Sequence, residues 1–438
     1  MDLLLHGGTI VPVDPARSVF AGDVLIREGY VVGVGPDLSA QAIKPALSVD
    51  VRGMAVLPAF VQSRVQLAHT LFRNSVDGTG SATEVTWRRE AALSADAVRA
   101  AARLGAAGLL LSGTTSVLDV GSVRHTEALF EASRDLGLRF TSGKIMFEAS
   151  ADRPAPLQES SRAALAEAER LRKVWHRSAG GRLRYAYAPY DVQCCSEELL
   201  VEVIGRARAA GCLLHVRAAE TSAAVDEVRS KFGSDPIAHL HEVGLTGRDV
   251  VLAHCVWLTA REQKLLRESN TSVAHCPMAD LRSAAGVAKV PELVAQGVRV
   301  SLGAGGAPHA SCLDLFETLR ATALIHRVRA SSSTLTPYQL IEMATLRGAE
   351  ALGLDQELGS LAAGKRADVI VVDLRGVHVR PAGDVLSALV YACRGSDVRH
   401  VLIDGQFAVR DGVLQTADLA AIHDEAERAA VALRRRSG

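Results

Sequence analysis

A few side chains at the ends of apolar runs carry most of the chemistry this sequence can offer. Arg64-Val65-Gln66 closes the run that begins at LPAFV, and Arg217 stands three residues before Glu220 in HVRAAE. His254 and His275 each sit in an Ala-His-Cys triplet that ends a hydrophobic stretch, and Tyr190 ends YAYAPY. Glutamate and histidine are the side chains that exchange protons with a substrate near neutral pH. Arginine forks pair with carboxylates and phosphates. The set does not read as a zinc site, which needs three or four converging His, Cys or carboxylate ligands.

These residues need elements that bring them together. Between residues 56 and 364, strand-like apolar runs alternate with amphipathic helical stretches: TTSVLDV, then HTEALFEASRDLG; LRYAYAP, then SEELLVEVIGRARAAG; then CLLHVRA, DVVLAHC, TSVAHC and VRVSLGAG. That order predicts an α/β fold, a (β/α)8 barrel whose chemistry gathers at the C-terminal ends of the strands. Short alternating runs with glycine breaks fill residues 1–55 and return over 365–415, where they predict one small β-sandwich built from both chain ends. Residues 416–438 read as a charged amphipathic helix.

Composition narrows the classes of function. Lys plus Arg and Asp plus Glu balance at 49 each, so no net field draws the chain to nucleic acid or to a membrane surface. Aromatic residues are 4%, too few for a base-stacking platform. The seven cysteines, unevenly spaced and odd in number, are expected as thiols. No apolar stretch has the length of a membrane span, and the N-terminus has no basic start or cleavage pattern. The expectation is a cytoplasmic protein with a small-molecule ligand and no cofactor.

LPAFVQSRVQLAHTLFR, LLHVRAAETS, VVLAHCVWLT, VAHCPMADLRSAAGVAKVPELVAQGV, VSLGAGGAPHASCLDLFETLR and GSLAAGKRADVIVVDL resemble successive motifs of the amidohydrolase superfamily. The branch they are most similar to contains the nucleoside, S-adenosylhomocysteine and chlorotriazine aminohydrolases, and the resemblance runs in order along nearly the whole chain. It implies a homodimer or larger assembly. It also implies a metal held by a His-x-His pair, a third histidine three residues before a catalytic glutamate, and an aspartate in a Gly-Thr-Asp-Gly turn. The corresponding residues here are Arg64 and Gln66, Arg217, and Gly305 within Gly303-Ala304-Gly305-Gly306. All four ligand positions are therefore expected to be replaced. The proton-handling positions match: Glu220 falls at the family's proton shuttle and His254 at its water-orienting histidine. Tyr190 takes the place of a substrate-binding histidine, and Ala279 and Asp280 replace the usual Ser and Asn after His-Cys-Pro.

Zinc lowers the pKa of its bound water from about 15.7 to roughly 7, whereas general-base catalysis alone contributes about 10²–10⁴-fold. Three readings stay open. In the first, Glu220 and His254 run metal-independent acid–base chemistry: elimination, cyclisation, isomerisation, or hydrolysis of an activated C–N bond. Arg64, Gln66, Arg217, Tyr190, His275, Asp280, His309 and His69 would bind a small polar, anionic or N-heterocyclic molecule. In the second, the chain is an inactive homologue that binds or scaffolds. In the third, His69, His254 and His309 rebuild a metal site for deamination. His215, two residues before Arg217, is expected to point away from the catalytic face.

Overall fold

Eight parallel strands follow one another along the chain and close on themselves in a computed structural model that describes residues 2–38, 45–74, 82–148, 153–310, 312–330 and 335–437. They are β1 (Phe60–Gln66), β2 (Thr114–Asp119), β3 (Arg139–Ser142, continued by Ile145–Met146), β4 (Leu183–Pro189), β5 (Leu213–Ala218), β6 (Val250–His254), β7 (Ser272–His275) and β8 (Arg299–Leu302, continued by Gly305–Gly306). Each pairs in parallel with its neighbour. The first part of β8 pairs with β7 and its second part with β1, Gly305 opposite Val65 and Gly306 opposite Gln66, which closes the ring. Strands such as β2, β6 and β7 are buried along their whole length, as parallel strands wrapped by helices must be.

The helices between strands begin where short polar side chains satisfy their first amides. Ser94 caps Ala95–Leu111, Ser196 caps Glu197–Ala209, and Thr259 with Glu262 forms a capping box on Ala260–Glu268. The chain ends meet in one nine-stranded mixed sheet. Its centre is Met54–Pro58, antiparallel to Val369–Asp373 and parallel to Leu3–Ile10; this strand straddles residue 55 and leads directly into β1. Arg139 at the start of β3 ties barrel to sheet. Its guanidinium donates to both oxygens of Asp368 at 2.8 and 2.9 Å and to Asp404 at 2.5 Å. The terminal helix Leu419–Ser437 buries Ile422, Ala426 and Leu433 and leaves Arg434–Arg436 exposed. Among the described residues no helix is long and apolar enough to cross a membrane.

Candidate active site

The C-terminal ends of the barrel strands enclose a cavity of about 100 Å³ whose wall includes Arg64, Gln66, Tyr190, Arg217, Glu220 and His254. Period-two alternation on β1 turns Arg64 and Gln66 to the same face and Val65 to the other. On β5 the same rule places His215 on the face of Arg217, which corrects the expectation that it points away. Its Nε2 accepts from Arg64 Nη1 at 3.4 Å, and burial, with Arg64 nearby, pushes the imidazole far below its usual range, so it is a neutral acceptor.

β5 and β6 end in strained backbone. Ala219, His254 and Cys255 all adopt positive φ, at 48°, 71° and 51°, each costing on the order of 1–2 kcal/mol for an L-residue. Hydrogen bonds between the two turns hold this geometry: Cys255 N–H donates to Ala218 O, and the amides of Val256 and Trp257 both donate to Ala219 O, all at 3.0 Å. The strain sets Glu220 beside His254, with 3.9 Å between Glu220 Oε2 and His254 Nε2. That is longer than a hydrogen bond, so a proton passing between them needs an atom of the ligand as intermediary.

His254 Nδ1 donates to Asp280 Oδ1 at 2.6 Å. Asp280 stands on the helix Pro277–Arg282 and is 1% exposed; burial raises its pKa while the nearby His254 opposes the rise. With Nδ1 engaged, the lone pair of the neutral ring lies on Nε2, toward Glu220 and the cavity. The carboxylate thus fixes the tautomer and orientation that a general base needs.

Arg217 is neutralised by its neighbours. Its Nε and Nη2 donate to Asp191 Oδ2 at 3.1 and 2.7 Å, its Nη1 lies 3.4 Å from Glu220, and its guanidinium stacks 4.0 Å above the Tyr190 ring. Burial would raise the Asp191 pKa, but the paired guanidinium brings it below the ordinary value. Arg64 differs. Its Nε is buried with no hydrogen-bond partner, and among the described residues no carboxylate lies within ion-pair distance of it, although its charge opposes the rise in the Asp280 pKa.

A second carboxylate–histidine pair faces the cavity from the β1 side. His69, on the 3₁₀ turn Leu67–Phe72, stacks on Phe72 and donates from Nε2 to Glu90 Oε2 at 2.7 Å; Gln66 lies 3.2 Å from the same nitrogen. Glu90 also accepts from the Val123 amide at 3.0 Å. Glu90 and Trp87, both on the helix Ala82–Ala92, were not expected from the sequence. They reach the wall because that helix lies across the barrel mouth, and no spacing in the chain signals this. Asp191, next to Tyr190, was readable only as the neighbour of a strand-end residue.

The structure does not bring His275 to the wall. Both its ring nitrogens are buried without partners, and its ring lies 5.3 Å from that of His326 on the helix Leu315–Ala330. The side chain of His309 lies outside the described residues. Among the described residues no group of three or more His, Cys, Asp or Glu could hold a metal ion. A larger cavity of about 760 Å³ shares Trp87, Tyr190 and Arg217 with the inner one and opens past Arg153, Cys194 and Glu227.

Residues 55–408 match the amidohydrolase family. The 5'-deoxyadenosine deaminase of Methanosarcina mazei is 33% identical over 437 residues, 98% of each chain. The 5-methylthioadenosine/S-adenosylhomocysteine deaminase of Moorella thermoacetica is 34% identical over 426 residues, 96% of this chain and 97% of its own. Among solved structures, an adenosine deaminase from Xanthomonas campestris with bound zinc superposes with a TM-score of 0.93 at 27% identity, covering 99% of each chain. An atrazine chlorohydrolase from Arthrobacter aurescens complexed with zinc gives 0.90 at 25%, covering 98% of this chain and 100% of that one. The chain belongs to the amidohydrolase family.

Proposed function

We propose that the chain is an enzyme acting on a small polar N-heterocycle of the nucleoside kind, by acid–base chemistry that uses no divalent metal. The observation that carries this reading is that Glu220 and His254 face the same cavity as Arg64 and Arg217, with the buried Asp280 holding His254 from behind. The four positions where the family resemblance implies metal ligands offer two guanidiniums, one amide and a glycine. A guanidinium stays protonated at any working pH and repels a cation, and Gly305 brings no side-chain donor atom, so these side chains do not fit a zinc ion. The nucleoside class is supported by relatives named as 5'-deoxyadenosine and 5-methylthioadenosine/S-adenosylhomocysteine deaminases. Trp87 and Tyr190, in mutual contact with ring centroids 5.0 Å apart, add aromatic surface to the cavity wall.

In this reading His254 Nε2 takes a proton from the ligand and Asp280 stabilises the imidazolium that forms. The imidazolium returns that proton at a neighbouring ligand atom, and the Glu220 carboxylate, paired with Arg217 and 3.9 Å from Nε2, orients the ligand for the transfer. Without a metal-bound hydroxide, the chemistry suited to the site is elimination, cyclisation, isomerisation or hydrolysis of an already activated C–N bond, within the reach of general acid–base catalysis. The test is chromatographic detection of any product from 5'-deoxyadenosine and from S-adenosylhomocysteine, with and without excess EDTA. Equal product in both buffers, abolished in a folded Glu220→Gln variant, is the expected result. Product lost with EDTA and restored by zinc contradicts the metal-free reading, and no product from either compound contradicts the nucleoside class.

A further inference from the structure

Two arginines reach the inner cavity, and their surroundings differ in a way that identifies the ligand. Arg217 is consumed: Asp191 takes two of its donors, Glu220 lies within ion-pair distance, and Tyr190 covers its face. Among the described residues Arg64 has the neutral His215 ring against Nη1, a buried Nε with no hydrogen-bond partner, and no carboxylate within ion-pair distance, the buried Asp280 feeling its charge from farther away. A guanidinium has five donors and cannot shed its charge. Leaving a buried donor unsatisfied is unfavourable. The cost is tolerated where a ligand completes the hydrogen bonding.

The chain also clears the approach to Arg64. A Cβ at Gly303 would lie 2.6 Å from the Arg64 carbonyl oxygen and 2.8 Å from its Cβ, so this turn can pack against β1 only as glycine. Gly305 and Gly306 line the same cavity without a side chain that would compete for the guanidinium. Gln66, two residues along β1, adds an amide on the same face.

We propose that Arg64 is an oxyanion anchor, and that the ligand is a small molecule bearing a carboxylate or phosphate group that accepts from its guanidinium, with the reacting atoms held between His254 and Glu220. This rests on the metal-free reading of the same site and narrows its substrate class. The anion lies against Arg64 and not Arg217, because only Arg64 gains a partner by binding it. A planar fork favours two parallel hydrogen bonds to one carboxylate or phosphate, so lysine at this position keeps the charge but loses the geometry.

The experiment is calorimetric titration of the full-length, EDTA-treated protein with inorganic phosphate and, separately, with acetate, on samples whose metal content is measured. The expected result is saturable binding of at least one probe, weakened about tenfold or more in Arg64→Met and less in Arg64→Lys, as loss of a charge-assisted pair requires. Whichever probe binds tighter distinguishes a phosphate-bearing from a carboxylate-bearing ligand. Circular dichroism melting confirms that the variants are folded. Arg153→Met, in the neighbouring larger cavity, is expected to retain the wild-type affinity. Unchanged affinity in Arg64→Met, loss in Arg153→Met instead, or no binding of either probe by folded metal-free protein overturns the anchor and leaves the metal-free reading standing. One metal per chain, with anion binding that disappears when the metal is stripped, overturns the metal-free reading itself.

Discussion

The two nitrogens of His254 have unequal neighbours, and that inequality is what the site depends on: Asp280 holds one at 2.6 Å, and the other faces Glu220 at 3.9 Å across ligand space. The opposite case is His275 with His326, two buried rings whose four nitrogens have no partner among the described residues. Burial lowers the His326 pKa from 6.5 to about 4, with Arg329 pushing the same way, and burial likewise holds His275 well below its usual range. A base whose folded pKa is depressed contributes stability that is complete above its unfolded value and lost as pH falls through the folded one. The window is therefore pH 6.5 down to about 4. Replacing His326 with leucine removes this term, so the stability difference between wild type and His326→Leu should shift by about 2 kcal/mol between pH 7 and pH 5. Urea unfolding at the two pH values checks it; a difference independent of pH would show that the ring is protonated without penalty. At this scale the sequence was informative where a residue ended a strand, as with Arg64, Gln66, Tyr190, Arg217, Glu220 and His254. It was silent on Glu90 and Trp87, and it misplaced His275 because ending a strand does not determine which side of the barrel a side chain faces.

The strand-and-helix order was legible as elements because apolar runs of strand length alternate with helical periodicity. The register that places their ends was not, since it depends on close approaches between backbones. Gly143 is one such point. It follows β3, and a Cβ there would overlap the carbonyl oxygen of Ala186 on β4. The approach lets β3 resume at Ile145–Met146, pairing with Ala188 and Pro189, which places Ile145 in the cavity wall and Tyr190 just beyond the pairing. Gly143→Ala is expected to destabilise the fold by about 3 kcal/mol, an overpacking against backbone that no rotamer change relieves. Thermal unfolding checks the magnitude, and a melting temperature equal to wild type would mean that the two strands can separate without cost. The turns after β5 and β6 show the same dependence on non-local contacts: positive φ at Ala219 and His254 is stabilised by hydrogen bonds between the turns, and no local motif signals it.

For the whole molecule, the barrel and the sheet built from both chain ends are joined by buried charge, Arg139 on β3 against Asp368 and Asp404. This lies at the N-terminal side of the strands, opposite the cavity, so the scaffold can persist while the residues at the mouth change. The overall architecture was legible from the order of motifs along nearly the full chain, because a barrel with a two-part accessory sheet leaves a repeating pattern in sequence. What the mouth does was less legible, because it follows from which charges meet. Arg217 is paired with Asp191 and Glu220 while Arg64 has no carboxylate within ion-pair distance among the described residues, a distinction the sequence cannot make for two arginines at strand ends. The most direct test of the metal-free proposal is metal content per chain, measured by plasma mass spectrometry on untagged protein produced in zinc-supplemented medium and desalted. Near-zero zinc, iron and manganese is the expected result. One tightly held metal per chain would contradict it, and would mean that residues other than Arg64, Gln66, Arg217 and Gly305 supply the ligands.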